Sequence, residues 1–103
     1  MLVRIAEPGR PAFQLRKGER GISVFDTRAV EPELQDHEIL AIFRSGSQTI
    51  ERSREEIQSK GLLIAPLLGS DVLPERLRQA HAEIRPGGGM TRTQFKQALT
   101  ELE

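Results

Sequence analysis

Ala80-His81-Ala82-Glu83-Ile84-Arg85 is the stretch from which the architecture follows. Ala80, Ala82 and Ile84 point one way, and His81, Glu83 and Arg85 the other. A period of two marks a strand with one covered face and one wet face. Pro86-Gly87-Gly88-Gly89 then forms a flexible turn. Beyond it the period changes. Thr91-Arg92-Thr93-Gln94 is a capping box, in which the Thr side chain accepts a backbone N–H and the Gln side chain reaches back. Phe95, Ala98, Leu99 and Leu102 recur at helical spacing, with Lys96, Gln97, Thr100 and Glu101 outside. An alternating strand followed by an amphipathic helix predicts helices packed on a sheet.

Working toward the N-terminus, Pro74 opens a short helical turn, Pro74 to Gln79. Leu62 to Leu68 is an apolar run broken by Pro66, which predicts an extended segment at a sheet edge. Ser53-Arg54-Glu55-Glu56 is a second capping box, and Gly61 fits the C-terminal position of the helix it starts. Gln48 to Glu51 suits a very short strand. Pro32 stands at a first helical position. The uneven apolar stripe Leu34, Ile39, Leu40, Ile42 and Phe43 extends that helix to Arg44, before Ser45-Gly46. Ile22 to Phe25 is a strand with Ile22 and Val24 on one face and Ser23 and Phe25 on the other. Ala12 to Arg16 also alternates, with Phe13 and Leu15 inward. With the five-residue turn Lys17 to Gly21 it predicts a hairpin. Leu2, Val3 and Ile5 begin the chain as a further strand. The expectation is a single domain over residues 1–103, α+β, with a small mostly antiparallel sheet and about three helices packed on it.

Composition narrows the chemistry. The chain has 15 basic and 15 acidic residues and no net charge, whereas phosphate-backbone binders are usually basic. Its aromatics are four Phe, with no Trp or Tyr, which gives no stacking platform. Nucleic acid is not an expected partner. No cysteine is present, so disulfides, thiol catalysis and Cys-zinc sites are out. His37 and His81 alone make no metal site, and no metal is expected. No run approaches the about 18 apolar residues of a membrane helix. The start MLVRIAEPGR is too charged for a signal peptide, so cytoplasmic residence is the expectation.

Arg16, Ser23 and His81 stand out because each lies in a strand-like segment. A guanidinium holds phosphate through its planar fork. Ser and His offer a hydroxyl and an imidazole to a ligand. Glu83, two residues after His81 on the same face, could complete an acid–base pair. The bland alternative is that all four are polar residues on a wet sheet face. His37, flanked by Asp36 and Glu38 on a predicted helix, reads as solvated. Neither glycine-rich stretch carries a phosphate-loop or dinucleotide fingerprint. Arg10, Arg16, Lys17, Arg20 and Arg28 are interspersed with Glu7, Glu19 and Asp26, a pattern compatible with a local anion site.

Gly21-Ile22-Ser23-Val24-Phe25-Asp26 resembles a strand of a bacterial type VI secretion effector toxin family whose fold is like that of ADP-ribosyltransferases. Pro74 to Pro86 resembles that family's later strand, with its His and its Ile-x-Pro ending. The two segments cover about a fifth of the chain. The resemblance implies an ADP-ribosyltransferase-like fold and NAD as the cofactor. It places Ser23, Phe25 and His81 at the cleft that holds the dinucleotide, and implies a cognate antitoxin or immunity protein as partner. Arg16 matches no motif position and enters from its place in a strand. This chain is shorter than those toxins and lacks their acidic motif, for which Glu83 is the candidate. The alternative is a non-enzymatic interaction domain, an antitoxin or regulatory subunit, which predicts an exposed apolar patch on the Phe95–Leu102 helix.

Overall fold

The alternating residues of the opening stretch do form a strand, with a neighbour on each side. The computed structural model describes residues 1–103. In it β1 (Leu2–Ala6), β2 (Ile22–Asp26), β3 (Gln48–Arg52), β4 (Leu63–Pro66) and β5 (His81–Arg85) make one antiparallel sheet in the order β3-β1-β2-β5-β4. The helices are α1 (Asp36–Leu40), α2 (Arg54–Ser59), α3 (Glu75–Ala80) and α4 (Arg92–Thr100). The fold is α+β with an antiparallel sheet, and the helices number four rather than three. No helix is long and apolar enough to cross a membrane.

The period-two pattern sends residues to two separate cores. Leu2, Ile22, Val24, Ala82 and Ile84 meet Ile57 of α2 and Phe95, Ala98, Leu99 and Leu102 on one face. Val3 and Phe25 meet Ile39 of α1 and Leu77 and Ala80 of α3 on the other. Each fully buried Leu, Ile or Phe stabilises the fold by about 1.5–3 kcal/mol relative to exposure. Ala80 departs from the sequence expectation. It ends α3, so its side chain joins the Phe25 face and not that of Ala82 and Ile84.

The two N-terminal caps behave differently. At α4, Gln94 N–H donates to Thr91 Oγ1, and Thr91 N–H donates to Gln94 Oε1, so the capping box is complete. At α2, Ser53 Oγ accepts from Glu56 N–H. The return bond does not form; the Glu56 carboxylate lies 3.8 Å from Arg52 Nε instead. Gly61, with φ of 79°, takes the left-handed position after α2 that a Cβ would strain. Gly87 lies so close to the Gly61 carbonyl that any side chain there would collide with it.

Two expected elements are corrected. Ala12 to Arg16 is not a strand, and no hairpin joins it to β2. The alternation in burial is real: Phe13 and Leu15 are buried, Gln14 and Arg16 exposed. However, β1 and β5 already occupy both edges of β2. The Ala12 and Phe13 N–H groups donate to the Glu103 carboxylate at 2.8 and 2.6 Å. A side chain thus meets the need that a neighbouring strand would have met. The helix expected from Pro32 to Arg44 shrinks to Asp36–Leu40. Leu34 N–H is drawn back to the Thr27 carbonyl, and Gln35 N–H donates to Glu38 Oε2 to start the helix there.

The expected edge strand at Pro66 is present. Leu67 N–H donates to the His81 carbonyl, so odd-numbered residues here turn their polar backbone toward β5. Pro66 therefore turns its hydrogen-less nitrogen to the free edge, where no ladder bond is lost. The expected apolar patch on the C-terminal helix is absent, since Phe95, Ala98, Leu99 and Leu102 are all buried. Four of the six exposed large apolar side chains, Leu63, Leu67, Leu68 and Val72, lie in or just after β4; the other two are Met1 and Ile42.

Candidate functional site

The pairing of β1 with β2 is short. Leu2 faces Asp26, Val3 faces Phe25, and the ladder ends, while β1 continues along β3 as far as Ala6. Where the two strands part, the Arg4 guanidinium fills the gap in hydrogen bonding. Its Nε donates to the Ala12 carbonyl at 2.8 Å and its Nη1 to the Ser23 carbonyl at 2.9 Å. A cleft of about 260 Å³ opens at this divergence. It is lined by Arg4, Ile5, Ser23, Phe25, Phe43, Ser70, Leu73 and His81.

Register explains why three of the sequence candidates meet here. Phe25 faces His81 across β2 and β5, and Ser23 faces Glu83 one pair further along the same side. The Phe25 and His81 rings meet edge to face, centroids 5.8 Å apart. Phe43 packs on Phe25 in the same manner at 6.2 Å. The His81 Nδ1 lies 2.8 Å from the Leu67 carbonyl. A carbonyl only accepts, so Nδ1 carries the proton, and Nε2 of the neutral ring is left as an acceptor. Ser23 is exposed, and its hydroxyl has no partner within the protein.

Arg4 is the residue that sequence reasoning missed. It forms none of the ion pairs within 4.0 Å found in the molecule. Burial lowers its pKa, opposed mainly by the more distant Glu19. A guanidinium still keeps its charge under such a shift. The signal was present in Leu2-Val3-Arg4-Ile5-Ala6, where a cation interrupts an otherwise apolar strand.

The other two candidates lie elsewhere. Arg16 is in a turn, not in a strand; its carbonyl accepts from Arg92 Nη2 and it does not line the cleft. Glu83 is on β5 beside Ser23, but its carboxylate is 3.0 Å from Arg85 Nε and outside the cleft lining. The cleft wall contains no carboxylate. No group of three or more His, Asp or Glu side chains is placed to hold a metal ion.

Larger depressions exist but carry less chemistry. One, of about 600 Å³ between the β1–β2 end and α2, is lined among others by Asp26 and Arg54, already paired at 2.8 Å. Comparison with protein-family models, curated proteins and solved structures returns no match to this chain.

Proposed function

We propose that the Arg4–Ser23–Phe25–His81 cleft binds a small ring-bearing phosphate ligand, with NAD the specific candidate, in a toxin-like domain of ADP-ribosyltransferase-like architecture. One observation carries the reading. A single strand register sets an aromatic ring, an imidazole acceptor and a free hydroxyl side by side at a cleft walled by an unpaired guanidinium. Phe25 and Phe43 line the cleft with aromatic surface against which a flat ring packs. Arg4 retains free N–H groups for a phosphate oxygen. A cleft of about 260 Å³ lies just under the ~300–1,000 Å³ range of small-molecule pockets. It suits one half of a dinucleotide, the rest lying outside.

The proposal is one of binding. Transfer of ADP-ribose also needs a negative charge beside the cationic ribose of the transition state. Glu83 would have to leave Arg85 to supply it. The test is an amide NMR titration of the folded protein with NAD. Shifts at Arg4, Ser23, Phe25 and His81, reduced in Ser23→Ala and His81→Ala, are the expected result. No shift at millimolar NAD overturns the reading.

A non-enzymatic interaction domain is the second reading, favoured by the exposed Leu63, Leu67, Leu68 and Val72 around β4. In that reading the chain is itself an antitoxin or regulatory subunit; a cognate antitoxin or immunity protein is the partner the toxin-like reading expects. Light scattering of the chain alone tests self-association through that patch. A monomer whose mass is constant with concentration removes the self-pairing form.

A further inference from the structure

The seven arginines that make ion pairs, Arg10, Arg28, Arg52, Arg54, Arg76, Arg78 and Arg85, are spread over the molecule. Arg16, Lys17, Arg20, Arg92 and Lys96 make none, and all five are exposed. They form two groups far apart in sequence, residues 16–20 and 92–96, which one side chain ties together. Arg92, at the first turn of α4, donates from Nη1 to the Glu19 carbonyl at 2.7 Å and from Nη2 to the Arg16 carbonyl at 2.8 Å. The turn it grips is closed by Glu19 N–H donating to the Arg16 carbonyl at 3.1 Å. Gly18, at φ of 84°, lets the chain reverse there.

Glu19 is the one carboxylate within this group, and it is turned to another use. Its Oε1 accepts from the Arg16 backbone N–H at 2.7 Å. The Glu19 carboxylate keeps its charge but is tied to the turn backbone, Glu83 lies near Gly21 paired to Arg85, and Glu103 shares a depression with Lys96, so five cationic side chains outnumber the acids near them and none is in an ion pair. Lys96 follows Arg92 by one helical turn on the same side of α4. A chain with no net charge thus carries a fixed basic surface built from a clamped turn and a helix.

We propose that this surface docks an acidic segment or face of a partner protein. It stands apart from the cleft and does not depend on what the cleft binds. Guanidinium groups on a pre-formed turn suit carboxylates through paired N–H donors, and pre-organisation reduces the ordering cost of association. A nucleic acid is the poorer match. The surface spans a five-residue turn and about one helical turn, so it meets few phosphates, and every Phe is at least partly buried, leaving none free for base stacking.

The test is an amide NMR titration of the full chain with poly-L-glutamate at low ionic strength. Shifts confined to residues 16–20 and 92–96 are expected, lost on adding salt. The Arg16→Glu, Arg20→Glu double variant should bind at least about tenfold more weakly, because like charges then face the probe. Lys17→Glu, whose side chain makes no bond, keeps the test open should the double variant fail to fold. Arg10→Glu, outside the surface, should bind as the parent does. Absence of shifts at these residues, or equal binding by the charge-reversed variants, overturns the proposal. Tighter binding of a DNA duplex at the same salt also overturns it, in favour of a nucleic-acid surface.

Discussion

The two faces of the sheet are built from the same strands and serve different ends. The face under α2 and α4 is closed: Ile22, Ile57, Leu62, Ile84, Leu99 and Leu102 are shut off from solvent. It is covered by a nine-residue helix with a complete capping box. The face under α1 and α3 is covered by helices of five and six residues. Helices that short cannot cover a whole sheet face, and the uncovered part is where the cleft lies. The closed face holds the fold; the open face has room for a ligand. Burial and polar chemistry are thus divided between faces by strand alternation.

The division can be broken by substitution, beginning with the closed face. Leu99→Ala should cost about 3 kcal/mol, read from urea unfolding, since it leaves a cavity among fully buried neighbours. It should leave cleft chemical shifts in place at low denaturant. A cost under 1 kcal/mol would show that the closed face is not the stabilising one. Glu103→Gln should cost about 2 kcal/mol in the same assay, because two charge-assisted bonds to Ala12 and Phe13 weaken. Thr91→Ala should cost about 1 kcal/mol through loss of the α4 cap.

On the open face the effects are smaller and differ in kind. Glu38 is tied to Arg76 at 2.9 Å, joining α1 to α3, and that hydrogen bond, with one from Gln35 N–H, lowers its pKa. A carboxyl that is more acidic when folded stabilises the protein above its unfolded pKa, about 4.3 for Glu. That contribution is lost as pH falls from there through the depressed folded value. Unfolding curves of Glu38→Gln at pH 7 and in acid should therefore converge with the parent at low pH and differ above it. A constant difference across pH would refute the assignment. Ser23→Ala should change stability by less than about 0.5 kcal/mol, since its hydroxyl has no partner within the protein. It should nonetheless weaken the NAD-induced shifts. A large stability loss would make Ser23 a structural residue and remove it from the site.

Much of the open face is legible in the sequence. Ser23, Phe25 and His81 could be set on one side of their strands because alternation is a local property. That β2 pairs with β5, and so that Phe25 faces His81, is not local, for any of several strands could have been the neighbour. Arg4 was overlooked because its role arises where β1 and β2 part, and a parting has no signature in either strand. Arg16 was misplaced for the converse reason. Its segment alternates as a strand does, but Arg92, 76 residues away, holds its carbonyl in a turn.

The sequence by itself determined the α+β class, the positions of five strands, the α4 helix with its cap, and the edge position of Pro66. All of these rest on period, caps and breakers, interactions within a few residues of one another. Tertiary structure alone decided the strand order, the shortening of the helix after Pro32, and the fate of Ala12 to Arg16. Those outcomes turn on which backbone groups find partners. Thr27 takes the Leu34 N–H, and Glu103 takes those of Ala12 and Phe13. A buried N–H must donate to an acceptor with good geometry, whether on a strand or on a side chain 90 residues away.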